Sequence, residues 1–257
     1  MISLVQAFND HSSIFFVVAA ISVIIMGVSK AGFGAGLGAL PLPLIASQSS
    51  ISEALAILLP ILIAIDLVGL QRFFRKADWR ILKLILVPAA FGMLLGYLFF
   101  SAITPKILSL SIGIFTLLYL IQSLVMSCFN VKETKPFPWL GRLMGGASGF
   151  TSFVAHIGGP PITIYMLRER VSPMVYTSTL GIFFTVMNFG KIVPYAYLDL
   201  LNLNQLSTSI LLLPLVPVGV YLGFYLAKKI SAKWYYIIVQ FFLLVVSIKL
   251  IADGLMA

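Results

Sequence analysis

At 257 residues, 60% of them hydrophobic and 10% charged, the chain is too apolar for a water-soluble domain, in which about a quarter of residues carry charge. A formal net charge of +9 would suit nucleic acid in a soluble protein, but in a chain this oily it reads as membrane topology, because Lys and Arg collect in cytoplasmic loops. The single cysteine, Cys128, excludes an intramolecular disulfide and a cysteine-rich metal site.

Repeated apolar runs of about 20 residues predict an all-α polytopic membrane protein. The short alternating segments of a β-barrel are absent. Spans and short loops take up nearly the whole length, which leaves no room for a soluble domain. The stretch before the first run, MISLVQAFNDHSS, has no Lys or Arg. A cleavable signal has a basic leading region, so the first run is expected to be permanent.

That first run extends from Ile14 to about Ala46, too long for one straight crossing of a core about 30 Å thick. Gly32, Gly34, Gly36 and Gly38 interrupt it, and Pro41 and Pro43 follow. The pattern predicts a helix to about Ala31, a break, and a shorter helix to about Ser47. Further runs fall at about 53–71, 82–102 and 106–128, and a polar linker, NVKETKPFPW, closes the first half. The second half repeats the order, with a broken run at 140–167 and runs at about 174–198, 206–227 and 234–252.

The two halves also match residue by residue. Gly32, Phe33 and Pro43 correspond to Gly149, Phe150 and Pro160 at an offset of 117. Asp66 corresponds to Asn188 at 122, and Gly92, Gly96 and Lys106 correspond to Gly219, Gly223 and Lys233 at 127. Ordered matches at motif positions argue for duplication. The expectation is two transmembrane repeats, 1–130 and 131–257, that form one membrane domain.

Charge bears on their relative orientation. If each broken run crosses once, the loop Lys and Arg split 10 to 6, with Lys191 and Lys249 on the richer side. If each broken run enters and returns, Arg168, Arg170, Lys228, Lys229 and Lys233 change sides, Lys191 and Lys249 go the other way, and the split becomes 13 to 3. The second scheme obeys the positive-inside rule better and gathers Trp79, Trp139 and Trp234 at one interface. It makes the halves inverted repeats, a transporter design in which discontinuous helices meet near the midplane. Its return helices, about 12 residues long, cover only about 18 Å and would be partial crossings.

The stretch from Gly145 to Pro161, GGASGFTSFVAHIGGPP, is poor material for a continuous helix. Irregular backbone at membrane depth survives only where it is buried in protein or lines a watery cavity. A helix that starts at such a break exposes unpaired N–H groups and the positive end of its dipole, which suits an anion. Candidate contacts are the backbone of Gly32, Gly34 and Gly36, that of Gly158 and Gly159, and the hydroxyls of Ser148, Thr151 and Ser152. The competing reading is that these glycines only allow tight helix packing.

Lys30, beside the first glycines, either meets the anion or snorkels to the interface. His156 could donate to an anion or take up a proton, or simply bond a carbonyl. Asp66 is the one carboxylate well inside a predicted span and is the leading candidate for proton coupling, unless it serves as a structural partner for Lys30. Asn188 is its repeat-related counterpart. No GxSxG, HExxH or CxxC occurs, and GFGAGLG lacks the strand–helix context of a dinucleotide loop. Neither a cofactor nor a metal is expected.

With both motifs in hand, KAGFGAGLGALPLPL and SGFTSFVAHIGGPPITIYML, the chain resembles the TauE/SafE family of sulfite and organosulfonate permeases. The resemblance spans essentially the full length and includes the carboxylate-bearing second span, ILLPILIAIDLVG. Ala35 and Lys30 depart from the residues frequent in relatives. By position, the family's motif residues fall on Gly32, Gly34, Gly36, Pro41, Ser148, Gly149, Ser152, His156, Gly158, Gly159 and Pro160. The resemblance implies a bacterial inner-membrane permease for small, often sulfur-containing or carboxylated anions.

The function expected is therefore a secondary carrier of a small organic or sulfur oxyanion, exporting it and coupled to protons if at all. A homodimer is compatible with so small a carrier. The alternatives are an anion channel of the same fold and a membrane-embedded enzyme or assembly factor. For the enzyme, the sequence offers only Ser152 and His156, four apart on one helical face.

Overall fold

The computed structural model describes residues 11–33, 40–102, 104–128 and 136–256, and the described residues form helices without a strand. In order these are α1 (Ser13–Phe33), α2 (Pro41–Ala46), α3 (Ile51–Phe74) and α4 (Trp79–Leu98). A single 3-10 turn at Phe100–Ala102 precedes α5 (Pro105–Cys128). Then come α6 (Pro138–Ala155), α7 (Gly159–Glu169), α8 (Pro173–Tyr197), α9 (Leu203–Leu212), α10 (Leu215–Lys229) and α11 (Ala232–Met256).

Four of these helices are long and apolar enough to cross a membrane: α1, α4 and the Ile51–Leu70 and Ile237–Leu255 parts of α3 and α11. The pair α9 and α10, bent by 49°, makes a fifth. Helix α4 shows what sets a membrane helix apart. Ile81, Ile85, Ala89, Gly92 and Gly96 are buried, while Val87, Phe91, Leu94 and Leu98 are exposed. A helix that is apolar on its outer face as well as its inner one belongs in lipid. The chain is a multi-pass membrane protein.

Helix starts follow local chemistry. Asp78 caps α4 by accepting from the N–H groups of Arg80 and Ile81 at 2.9 and 3.1 Å. Asn202 caps α9 in the same way, and Pro138 opens α6, where no N–H is needed. The run expected at 206–227 is split. Pro214 has no N–H to continue α9, so Leu213 donates back to Ser209 and Ile210, and the chain bends before α10. Helix α2 has six residues, about half the expected return helix.

Backbone-close packing fixes the arrangement. Helices α4 and α6 run side by side in one direction, with Ile85 at Gly145, Ala89 at Gly149 and Gly96 at Phe150 and Phe153. Helices α1 and α10 do the same, with Ile24 and Gly27 at Gly219, and Val28 and Gly32 at Gly223. Helices α3 and α8 run antiparallel: Asp78, just past α3, donates its N–H to Thr179 early in α8, and Asp66 meets Asn188 farther along. Helices α5 and α11 are also antiparallel, with Gly113 at Ser247 and Gly254 at Leu110.

Helix α1 is parallel to α3, since His11 meets Glu53 near both starts and Lys30 meets Asp66 near both ends. Helix α7 folds back along α6. Gly158 lies against Ser148 and Ser152, and the ring of Tyr165 lies against Gly141 near the start of α6.

One assignment of charge is overturned. Lys191 and Lys249 were counted as loop residues, but both lie within helices, α8 and α11. Lys249 remains part-exposed and pairs with Asp253 one turn on. Lys191 is 1% exposed and belongs to the protein interior.

Candidate functional site

The polar interior is built around the end of α6. His156 terminates that helix in a left-handed conformation, φ 53° and ψ 20°. Its N–H bonds Ser152 O at 3.1 Å, and that of Ile157 bonds Thr151 O at 3.2 Å, which closes the helix. For a residue with a Cβ this conformation costs about 1–2 kcal/mol. The turn swings the imidazole away from the α6 face and toward α3 and α8.

Both ring nitrogens of His156 are engaged. Nε2 lies 3.2 Å from Leu55 O on α3, and Nδ1 lies 3.1 Å from Lys191 Nζ on α8. A carbonyl only accepts, so Nε2 carries the proton and Nδ1 accepts from the lysine. Lys191 also donates to Asn188 Oδ1 at 3.0 Å, one turn earlier on the same helix. Asn188 Nδ2 donates to Asp66 Oδ2 at 2.7 Å, and Asp66 Oδ1 forms an ion pair with Lys30. The result is one polar chain: Leu55 carbonyl, His156, Lys191, Asn188, Asp66, Lys30. Lys30 also stands 5.5 Å from the centre of the Phe184 ring, within cation–π range.

A small cavity of about 20 Å³ opens along this chain. Its polar wall is Lys30, Ser152, His156, Asn188 and Lys191, with Gly159 at the start of α7. Met26, Leu62 and Phe184 complete it. The volume suits about one water molecule. With both lysines protonated, two lysines and one aspartate give the buried chain a formal charge of +1. An uncompensated charge in so dry a place costs several kcal/mol, on the order of 3–5 when a partner is missing, so the cavity is suited to an anion.

The residues singled out in the sequence separate into groups. Lys30, Asp66, Ser152, His156, Gly159 and Asn188 gather at the cavity or on its polar chain. Lys30 does not snorkel; it is 5% exposed and paired with Asp66. Gly32 packs against Gly223 of α10, and Gly158 against Ser152 and Ser148, so helix packing accounts for both. Ser148 Oγ bonds Gly158 O at 2.6 Å and Thr151 Oγ1 bonds Ala147 O at 2.9 Å, so these hydroxyls satisfy backbone around the break. Gly34 and Gly36 lie outside the described residues.

Two details change the expected chemistry. The start of α7 is a meagre anion donor, because Pro160 and Pro161 have no N–H. The arrangement of Ser152 and His156 on one helical face fails, because His156 has left the helix and its ring nitrogens are taken by Leu55 and Lys191. The residue that sequence reading missed is Lys191. It follows Asn188 by three positions, which on a helix is the same face.

No curated protein and no solved structure matches the chain. A family model does, over residues 18–250, nearly the whole length. Its description, sulfite exporter TauE/SafE, agrees with apolar helices that enclose a buried, cationic cavity. The chain belongs to the TauE/SafE sulfite exporter family of membrane transporters.

Proposed function

We propose that this protein is a secondary carrier that moves a small organic or sulfur-containing oxyanion (sulfite, an organosulfonate or a small carboxylate) across the bacterial inner membrane. The observation that carries this reading is the make-up of the buried chain, where two lysines, Lys30 and Lys191, stand beside a cavity with the single carboxylate of Asp66. A negatively charged solute would give a protonated Lys191 the counter-charge that Asp66 already gives Lys30. Ser152 and the backbone at Gly159 supply further polar edges, and Met26, Leu62 and Phe184 form the apolar part of the wall.

We read the two halves, 1–130 and 131–257, as inverted repeats. In support, the repeat-related helices α3 and α8 run antiparallel, as do α5 and α11. The opening helix of each half lies along a later helix of the other, α1 with α10 and α6 with α4. A two-fold axis in the membrane plane generates this pairing, whereas parallel repeats would leave related helices pointing the same way. The return of α7 along α6 fits the re-entrant scheme. A cavity of about 20 Å³ is too small for an oxyanion. It has to widen to admit one, and opening toward one side and then the other would make the protein a carrier rather than a channel.

Without coupling, one charge crossing 100 mV is worth about 2.3 kcal/mol, so an inside-negative cell drives a monoanion outward. Reconstituted vesicles test the proposal. Vesicles loaded with unlabelled sulfite should accumulate labelled sulfite transiently by counterflow, and Lys191→Met should abolish this. Flux without counterflow would identify a channel. Absence of flux with sulfite, isethionate and acetate alike would sink the carrier.

A further inference from the structure

Asp66 and His156 are the residues whose type suggests proton coupling, yet the geometry occupies both. Asp66 accepts from Asn188 on one oxygen and pairs with Lys30 through the other. His156 donates to Leu55 O and accepts at Nδ1. Neither offers the cavity a free site: Asp66 is not in its lining, and both ring nitrogens of His156 are taken. Lys191 does.

Four tetrahedral positions surround Lys191 Nζ. One is its own carbon chain, a second points to His156 Nδ1 and a third to Asn188 Oδ1. The fourth has no partner among the described residues, and Lys191 lines the cavity. That position is either a lone pair or a third N–H. The groups facing Lys191 decide between them. Lys30 from α1 and Asp66 from α3 cancel as an ion pair. His156, at the end of α6, accepts from Lys191 at Nδ1, as only a neutral ring can, and Asn188 on the same helix as Lys191 has no charge. No carboxylate is left for Lys191. In an apolar interior an ammonium without a counter-charge is costly, and the neutral amine is the cheaper form of the empty site. An anion in the cavity reverses that preference and accepts from the third N–H.

Resting on the carrier reading above, we infer that Lys191 takes up one proton whenever the cavity takes up an anion. A hydronium proton from the bulk solution adds to the Nζ lone pair and forms the third N–H bond of the ammonium, and the anion supplies the matching negative charge. Release of the anion releases the proton. A monoanion carried this way moves no net charge. The membrane potential then gives no outward push, and direction follows the anion gradient and the pH difference together.

The test is calorimetric titration of the purified, detergent-solubilised protein with isethionate, in buffers of equal pH and different ionisation heat. A sulfonate stays ionised throughout, so every proton counted belongs to the protein. The wild type should take up about one proton per anion in mildly alkaline buffer. Lys191→Arg, which is permanently charged, should bind isethionate with no proton uptake. Lys191→Met should bind at least about tenfold more weakly, and what binding remains should also be free of proton uptake. The Met variant keeps the test open if arginine is too large to fold. Isethionate binding to the wild type without a proton overturns the inference but leaves the carrier standing. Equal proton uptake by the wild type and either variant also overturns it, because the proton then lands elsewhere. If isethionate, methanesulfonate and acetate all fail to bind, the carrier reading falls and this inference falls with it.

Discussion

Asn188 donates from Nδ2 to Asp66 Oδ2 at 2.7 Å, and these two residues occupy matching places in the two halves, 122 positions apart. Under the proposed inverted repeat, a residue that touches its own counterpart sits beside the axis relating the copies. Two aspartates there would repel each other, and two asparagines would leave Lys30 without a counter-charge. One of each gives a hydrogen bond and an ion pair at once. The lysines break the symmetry further. At the motif offset Lys30 corresponds to Ala147, and at the 122 offset Lys191 corresponds to Gly69. Each half therefore contributes one lysine that the other lacks.

The Lys30–Asp66 pair should behave as a buried pair does. Asp66→Ala leaves Lys30 charged and alone, at a cost of about 3–5 kcal/mol. The double variant Lys30→Met with Asp66→Leu should recover most of that stability while transport stays lost. Thermal unfolding in detergent checks the first expectation and vesicle flux the second. A double variant as unstable as Asp66→Ala alone would show that the pair is not what holds these helices together.

Much of this arrangement is legible in the sequence because it rests on periodicity. Apolar runs mark the helices, glycines and prolines mark the breaks, and Asp66 inside an apolar span declares itself. Lys191 was missed for a physical reason: positive charges near span ends usually lie at the interface, and only tertiary packing shows that this one points inward. Its spacing of three from Asn188 was the available signal. The bend at Pro214 was hidden in the same way, since prolines at 214 and 217 interrupt a run whose hydropathy is continuous. The left-handed turn at His156 has no sequence signature beyond the glycines and prolines that follow it.

Packing of α4 on α6 makes a sharp prediction about glycine. A Cβ at Gly149 would lie 2.0 Å from Ala89 O, and both atoms belong to rigid helices. Gly149→Ala should therefore force the helices apart and cost about 3 kcal/mol or more, at the upper end for overpacking. The control is Gly146→Ala, whose Cβ would come no closer than 3.5 Å to Pro88 O. There the helix preference for alanine should offset any strain, worth up to about 1 kcal/mol. Elution profile and unfolding temperature separate the two variants, and equal behaviour would refute the close helix approach.

His156 holds two roles that substitutions can separate. Asparagine tolerates the left-handed turn, whereas valine does not. Both remove the imidazole, which leaves Leu55 O without its donor and Lys191 without an acceptor, at a cost of about 1–3 kcal/mol. His156→Val should then lose more stability than His156→Asn, by about 1–2 kcal/mol for the backbone, while both lose transport. Unfolding midpoints measure the difference. A valine variant as stable as the asparagine one would remove the strained turn from the account.

The course of the second broken run can be tested in intact membranes. Arg80 at the start of α4 donates to Glu169 at the end of α7 across 3.5 Å, and Tyr165 also bonds Glu169. Those two ends share a side of the membrane only if α7 returns to the side from which α6 set out. A single crossing would put Arg80 and Glu169 a membrane thickness apart, roughly 30 Å. In a Cys128→Ser background, Lys76→Cys and Arg170→Cys should therefore react with an impermeant thiol reagent from the same side. That side should be the cytoplasm, because most of the loop Lys and Arg lie there. The ion pair itself contributes little, since Arg80 is largely exposed, so Arg80→Ala should change stability by less than about 1 kcal/mol. Labelling of the two cysteines from opposite faces would rule out the return of α7 and, with it, the two-fold relation between the halves.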